Sequence, residues 1–150
     1  MKIAVGSDER THLTDVVLAE LRKLGHDLLL FGPLADDDPE SDWPCVSSKT
    51  AEVVAAGQAD EGIVFCWTGT GASIAANKVA GIRAALCHDA ETARGARIWN
   101  HANVLALSLR ATSEPLAGEI LEAWFATPYS EDEWNRQQIE RIRQLEERHP

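Results

Sequence analysis

Basic residues are scarce in this sequence: 14 Lys and Arg stand against 24 Asp and Glu, a formal charge of −10 over 150 residues. That balance excludes a general binder of nucleic acid or of anionic membrane surfaces, because both partners are polyanions that reward basic patches. Cysteine is also sparse. Cys45, Cys66 and Cys87 form no CxxC pair and leave one unmatched, which argues against a disulfide framework and predicts free thiols in a reducing cytoplasm. No window approaches the roughly 18 consecutive apolar residues of a membrane span. The opening MKIAVGSDE turns acidic directly after a short apolar run, unlike a secretory signal. Internal repeats and low-complexity segments are missing as well. What remains is a chain with 45% hydrophobic residues, of a length that suits one domain over residues 1–150. Such a domain buries roughly two-thirds of its unfolded surface and needs no metal or disulfide to hold it.

Short apolar runs alternate with helical spacing. Ile3 to Val5 reads as a strand ended by Gly6, and Leu13, Val16, Val17, Leu21 and Leu24 recur at helical intervals before Gly25. Leu28 to Phe31 is a second strand, followed by a proline-rich, acidic loop from Gly32 to Pro44. Pro44 suits the first turn of a helix reaching about Ala56. Further strands are expected at Gly62–Cys66, Ile82–Cys87 and Val104–Leu107. Helices are expected at Ser73–Val79, Glu91–Ile98 and Glu114–Phe125. The strands are continuous apolar runs, and the strand–helix alternation calls for crossover connections. Both point to an α/β fold whose parallel sheet is covered on both faces. The loops after Gly6, Cys66, Cys87 and Leu107 then matter most, since such sheets bind ligands beyond the carboxyl ends of their strands. The segment 130–150 is mostly charged and amide residues, with Trp134, Ile139, Ile142 and Leu145 as its apolar stripe. A helix this polar gains little alone, so it is expected to lie on a partner subunit or on its own body.

The strongest local signal is Cys66-Trp67-Thr68-Gly69-Thr70-Gly71-Ala72-Ser73, which leaves a strand and opens a helix. Its glycines let backbone N–H groups approach an anion closely. It is neither a Walker A loop nor a full dinucleotide fingerprint, because Ile74 occupies the third glycine position. A cradle for a small oxyanion fits better than a nucleotide site; a ligand-free tight turn is the plainer alternative. Cys66, at the strand's end beside a helix N-terminus, is placed to act as base or nucleophile, or else is a small buried hydrophobe. Cys87 and Cys45 read as structural. Asp8 either accepts hydrogen bonds from sugar hydroxyls or caps the following helix. His88-Asp89 with His101 could form a metal pair, but no third ligand has supporting spacing, and a helix cap is the simpler explanation. Arg110 is placed to bind an anion.

Taken together these segments resemble the ribose-5-phosphate isomerase B / galactose-6-phosphate isomerase family. The resemblance is carried by KIAVGSD at 2–8, LGHDLLLFG at 24–32, GIVFCWTGTGASIAANKVAGIRAALCHD at 62–89, TARGAR at 92–97 and NHANVLAL at 100–107. It implies a Rossmann-like three-layer αβα sandwich with a five-stranded parallel sheet and a C-terminal helix packing on a partner subunit. A homodimer or homotetramer with its active site at the subunit interface follows from the same resemblance. So does aldose–ketose isomerisation of a sugar or sugar phosphate, without metal or cofactor, through a cis-enediolate. Cys66 is then the base. Thr68 and the amides from Trp67 through Gly69, Thr70 and Gly71 form the anion hole. Asp8 and Asn100 hold sugar hydroxyls, and Arg110 belongs to the phosphate-binding set.

Departures from the family pattern are equally specific. Glu9 stands where the family has His, Trp99 stands at its ring-opening histidine, and Trp67 replaces the loop's first glycine. In the tail, Trp134 and Gln138 align with two phosphate-gripping arginines. Losing such charge-assisted contacts costs about 1.5–3 kcal/mol each. Either Arg10, His12, Arg110 or Arg136 supplies compensating charge, or Glu9, Trp67, Trp99 and Trp134 line a pocket for a differently functionalised sugar. With the histidine acid gone, an open-chain or readily opened substrate is favoured unless His101 takes over. A noncatalytic sugar-binding or regulatory relative is the alternative.

Overall fold

A computed structural model describes residues 1–149. Five parallel strands form one sheet: β1 (Lys2–Ser7), β2 (Asp27–Phe31), β3 (Glu61–Cys66), β4 (Ala84–Leu86) and β5 (Val104–Ser108), in the order β2-β1-β3-β5-β4. The connecting helices are α1 (His12–Lys23), α2 (Trp43–Ala55), α3 (Thr70–Ala76), α4 (Ala90–Asn100) and α5 (Glu114–Ala126), with α6 (Glu133–Arg148) closing the chain. Among the described residues no helix is long and apolar enough to cross a membrane.

Side-chain alternation along the strands decides the layering. Ile3, Val5, Ile63, Phe65, Leu105 and Leu107 point to one face, where Leu13, Val17 and Leu21 of α1, Ala93 and Ala96 of α4, and Ile120, Leu121 and Trp124 of α5 cover them. The opposite face presents Ala4, Val64, Cys66, Val104 and Ala106 to Ala51 and Val54 of α2 and to Ala72 and Ala76 of α3. Small residues on both sides of that second layer let α2 and α3 sit close to the sheet. Cys66 belongs to this thinner layer, directly beneath the start of α3.

Several boundaries differ from the sequence expectation. Thr11, not Asp8, caps α1: its hydroxyl accepts the Thr14 N–H, and Thr14 Oγ1 accepts the Thr11 N–H in return. The loop after β2 opens with a 3-10 turn at Gly32–Leu34, whose Leu34 is buried. Helix α3 begins at Thr70 rather than Ser73, so the glycine loop is shorter than expected. Helix α4 runs to Asn100, which puts Trp99 and Asn100 inside its last turn.

The loop after β2 is fixed by one carboxylate. Asp38 accepts the Gly32 N–H (2.9 Å), the Lys49 ammonium (2.9 Å) and the Glu40 N–H (3.1 Å). These donors, the Gly32 amide foremost, hold its carboxyl down at about 2. A folded value below the ordinary 3.8 means that Asp38 favours the folded state above that range. The contribution drains away as pH falls through about 2. Asp38→Asn is therefore expected to flatten the acid limb of the stability curve in denaturant titrations between about pH 4 and 2. An acid limb unchanged by the substitution would refute this role.

Candidate active site

The strand order reverses direction at β1 and β3: the chain leaves β1 toward β2 on one side, whereas β3 pairs with β1 on the other. The crevice beyond their carboxyl ends is where an open parallel sheet accepts ligands. Ser7 and Phe65 are register partners there, so Asp8 and Cys66, the next residue on each chain, leave the sheet side by side. A turn closed by Ser7 Oγ donating to the Glu9 carbonyl (2.5 Å) bends the chain after β1. It leaves Glu9 exposed and Asp8 half-buried. Asp8 Oδ1 is enclosed and has no hydrogen-bond partner. Burial, helped by the Glu9 charge, pushes the Asp8 carboxyl above its usual range. A buried acceptor left without a donor is unusual in a folded protein and marks Asp8 as a candidate functional residue.

Cys66 is 6% exposed, and its Sγ accepts the Ala72 N–H at 3.4 Å, an amide of the first turn of α3. The other two cysteines are placed differently. Burial pushes the Cys87 thiol up to about 12, and its Sγ donates to the Ala85 carbonyl. Cys45 is exposed, and the Glu40 charge pushes its thiol upward. Of the three, the sulfur that receives an amide N–H is the one best arranged to take up and return a proton.

The loop above Cys66 is held from β5. Arg110 donates its backbone N–H to the Trp67 carbonyl (3.0 Å), Ser108 Oγ donates to the same carbonyl (2.9 Å), and the Leu109 N–H bonds to the Cys66 carbonyl (3.0 Å). Gly69 has φ +78°, and a Cβ there would lie 2.5 Å from Leu86 Cδ1 and 3.0 Å from the Leu107 backbone. Glycine is therefore demanded twice, by conformation and by space. Thr68 and Thr70 share a hydroxyl hydrogen bond of 2.7 Å at the surface. Over Gly71 lies the ring of Trp43, close enough that a Cβ would touch it at 3.1 Å. Trp43 thus walls one side of the loop. The sequence reading passed over it; the signal was an aromatic residue just before Pro44, at the mouth of a helix that opens on the carboxyl edge. His88 was also missed as a lining residue. With Thr68, Ser108, Arg110 and Ala111 it borders a cavity of about 320 Å³.

The remaining sequence candidates lie elsewhere. Helix α4 starts at the carboxyl edge after β4 and runs back for 11 residues, about 16 Å. Trp99 and Asn100 therefore sit at the opposite edge of the sheet from Asp8, Glu9, Cys66 and the Trp67–Gly71 loop. There Trp99 and Asn100 line a cavity of about 580 Å³ together with Gln138 and Arg83. Trp134, 66% exposed, stands in the first turn of α6. Within one chain the structure does not bring Trp99 and Trp134 together with Glu9 and Trp67. Helix α6 lies against α4 and the turn before β4, where Glu146 accepts the Gly81 N–H at 3.0 Å.

The helix-cap reading holds at Asp89, and neither alternative that involved His101 does. Asp89 is the N-cap of α4, accepting the Thr92 N–H at 2.7 Å, and His101 lies at that helix's far end, so His88, Asp89 and His101 form no metal set. His101 does not replace the missing acid either, since its Nε2 contacts the Ser130 carbonyl (2.9 Å) and its ring stacks on Tyr129. Among the described residues, only the surface group Glu40, Asp42 and Cys45 brings three potential metal ligands together.

Comparison with known proteins places this geometry. The family model described as Ribose/Galactose Isomerase matches residues 3–144. The chain is similar to ribose-5-phosphate isomerase B of Escherichia coli (strain K12), with 38% identity over 148 residues covering 98% of this chain and 97% of that one. It is 36% identical over 146 residues to galactose-6-phosphate isomerase subunit LacB of Clostridium acetobutylicum, covering 97% and 83%. Among solved structures, Clostridium thermocellum ribose-5-phosphate isomerase B superposes with a TM-score of 0.91 at 36% identity, over 100% of both chains.

Proposed function

This chain belongs to the ribose/galactose isomerase family, and from that premise we propose that it interconverts an aldose and a ketose with Cys66 as the base. The observation that carries the reading is the Cys66 sulfur at the carboxyl end of β3, receiving an amide N–H from the helix that follows the glycine loop.

The proton on carbon 2 of an open-chain aldose is weakly acidic, and its removal pushes negative charge onto the carbonyl oxygen. The barrier falls when a base and preorganised donors meet the same enediolate. Cys66 takes the proton from carbon 2 and returns it to carbon 1, while the hydroxyl proton on oxygen 2 passes to oxygen 1, so that the aldehyde becomes an alcohol and carbon 2 the ketone. The backbone amides between Trp67 and Gly71, with the Thr68 hydroxyl, face the developing oxyanion. Asp8, beside Cys66 at the end of β1, accepts a substrate hydroxyl, and Arg110 offers a cation at the same rim.

Asn100, Trp99, Trp134 and Gln138 complete this site from a second copy of the chain. The supporting observation is their position: α4 carries the first two away from the carboxyl edge, so a neighbouring subunit must present that face for them to reach the substrate. A homodimer is the smallest assembly that does so.

The test is proton exchange in deuterated water across tetroses, pentoses, hexoses and their phosphates, followed by NMR at carbons 1 and 2. Exchange at both carbons of at least one aldose–ketose pair is expected. A noncatalytic sugar-binding relative is the second reading, favoured by Trp99 at the ring-opening position and by the engagement of His101 with Ser130. Calorimetric binding without exchange on any sugar would select it instead.

A further inference from the structure

The carboxyl edge of the sheet is short of usable positive charge. Arg10 Nε is engaged by Asp15 (2.8 Å), His12 by Glu114, Lys49 by Asp38 (2.9 Å) and Arg94 by Glu91 (3.2 Å). Among the described residues Arg110 is the arginine at this edge whose guanidinium has no carboxylate partner. Against it stand Asp8 and Glu9 at the end of β1, and the acidic loop after β2 with Asp36, Asp37, Glu40 and Asp42. On α6, Trp134 and Gln138 are uncharged; Arg136 faces Glu131 at 3.9 Å, and Arg141 donates to Gln138 Oε1.

A phosphate monoester carries between about −1.5 and −2 charge at neutral pH. Brought to this rim it meets the Arg110 guanidinium with His88 beside it, and Arg141 from the α6 of a second copy, against the carboxylates of Asp8, Glu9 and the acidic loop. Like charges in a cleft lower both the encounter rate and the affinity. An uncharged polyol meets no such penalty. Its hydroxyls donate to the exposed Glu9 carboxylate. Its C–H faces rest on the exposed rings of Trp67 and Trp43, which are 59% and 42% exposed.

We infer that the substrate ends in a hydroxyl rather than a phosphate, that is, an unphosphorylated aldose–ketose pair. This rests on the isomerase reading above and specifies its substrate class. Glu9 is the residue that discriminates, by accepting a hydroxyl and repelling a phosphate.

Matched twins provide the test: D-ribose against D-ribose 5-phosphate and D-erythrose against D-erythrose 4-phosphate, by solvent deuterium exchange and by calorimetry on the Cys66→Ser protein. The unphosphorylated twin is expected to lead in kcat/KM and in affinity by about tenfold or more, and Glu9→Arg to shift that ratio toward the phosphate by at least as much. A wild-type preference for either phosphorylated twin in both measurements overturns the inference and leaves the isomerase reading intact. Binding of the neutral twin with no exchange on it or on any sugar of the wider panel overturns the isomerase reading and, with it, this inference. Failure of both neutral sugars to bind at millimolar concentration overturns it.

Discussion

Cys66→Ala is expected to lower kcat by about 10³-fold while changing substrate affinity by less than about threefold, because a positioned acid–base group contributes on the order of 10²–10⁴ to such a step. The site survives the change. Cys66 lies at the strand end with 6% of its surface exposed, and alanine removes one buried sulfur without introducing strain. It does leave the Ala72 N–H without its acceptor. That orphaned donor costs about 1–3 kcal/mol, a measurable drop in thermal midpoint that does not explain a thousandfold loss. Cys66→Ser separates the two effects. A serine hydroxyl still accepts the amide, so stability returns toward the parent, yet an alcohol is far too weak an acid to serve as base near neutral pH. Both variants should therefore be inactive, with only the alanine form destabilised. Full exchange activity in either would remove Cys66 from the chemistry and leave the loop as an anion cradle without a base.

The fold was legible because its signals are local. Apolar runs of strand length, Gly25 and Gly57 after helices, and Pro44 at a helix start each act within a few residues. The site was legible only in part. Cys66, Asp8 and the glycine loop sit on segments whose place at the carboxyl edge follows from strand order alone. Whether α4 ended near Ile98 or ran on was not legible; its last turn extends to Asn100 and its cap falls on His101 with φ +47°. Nothing in the spacing of ARGARIWNH distinguishes these, since a left-handed histidine is an uncommon helix stop. The engagement of Arg10 by Asp15 and of His12 by Glu114 was also hidden. The first depends on how the chain turns after β1, and the second joins residues more than a hundred positions apart.

The largest stability effect is expected far from the crevice, at Arg97. Glu61 at the foot of β3 is buried and holds Arg97 Nη2 at 2.7 Å, while its other oxygen accepts the Trp124 indole N–H at 2.5 Å. Arg97 also donates to the Ala102 carbonyl (2.7 Å) and to Tyr129 Oη (3.0 Å), with its guanidinium 4.4 Å from the Tyr129 ring centre and 4.9 Å from that of Trp124. Arg97→Met removes the cation and leaves a carboxylate enclosed without its counter-charge, which costs about 3–5 kcal/mol. For a chain of this length that lowers the melting temperature by about 10 °C. Glu61→Leu alone should be comparably harmful, whereas Glu61→Leu combined with Arg97→Met should recover much of the loss, because a paired burial is replaced by apolar contact rather than broken. The same residues fix where α6 begins. Arg97 Nε reaches the Thr127 carbonyl, the Ser130 N–H bonds to Ile98, and His101 stacks on Tyr129. In Arg97→Met, amide exchange in α6 should quicken before that of β3 and β5. If the site is completed by Asn100 and Gln138 of a neighbouring subunit, kcat/KM should fall at temperatures where the body is still folded. Equal loosening of α6 and the sheet would mean that the cluster supports the core alone and does not aim the tail.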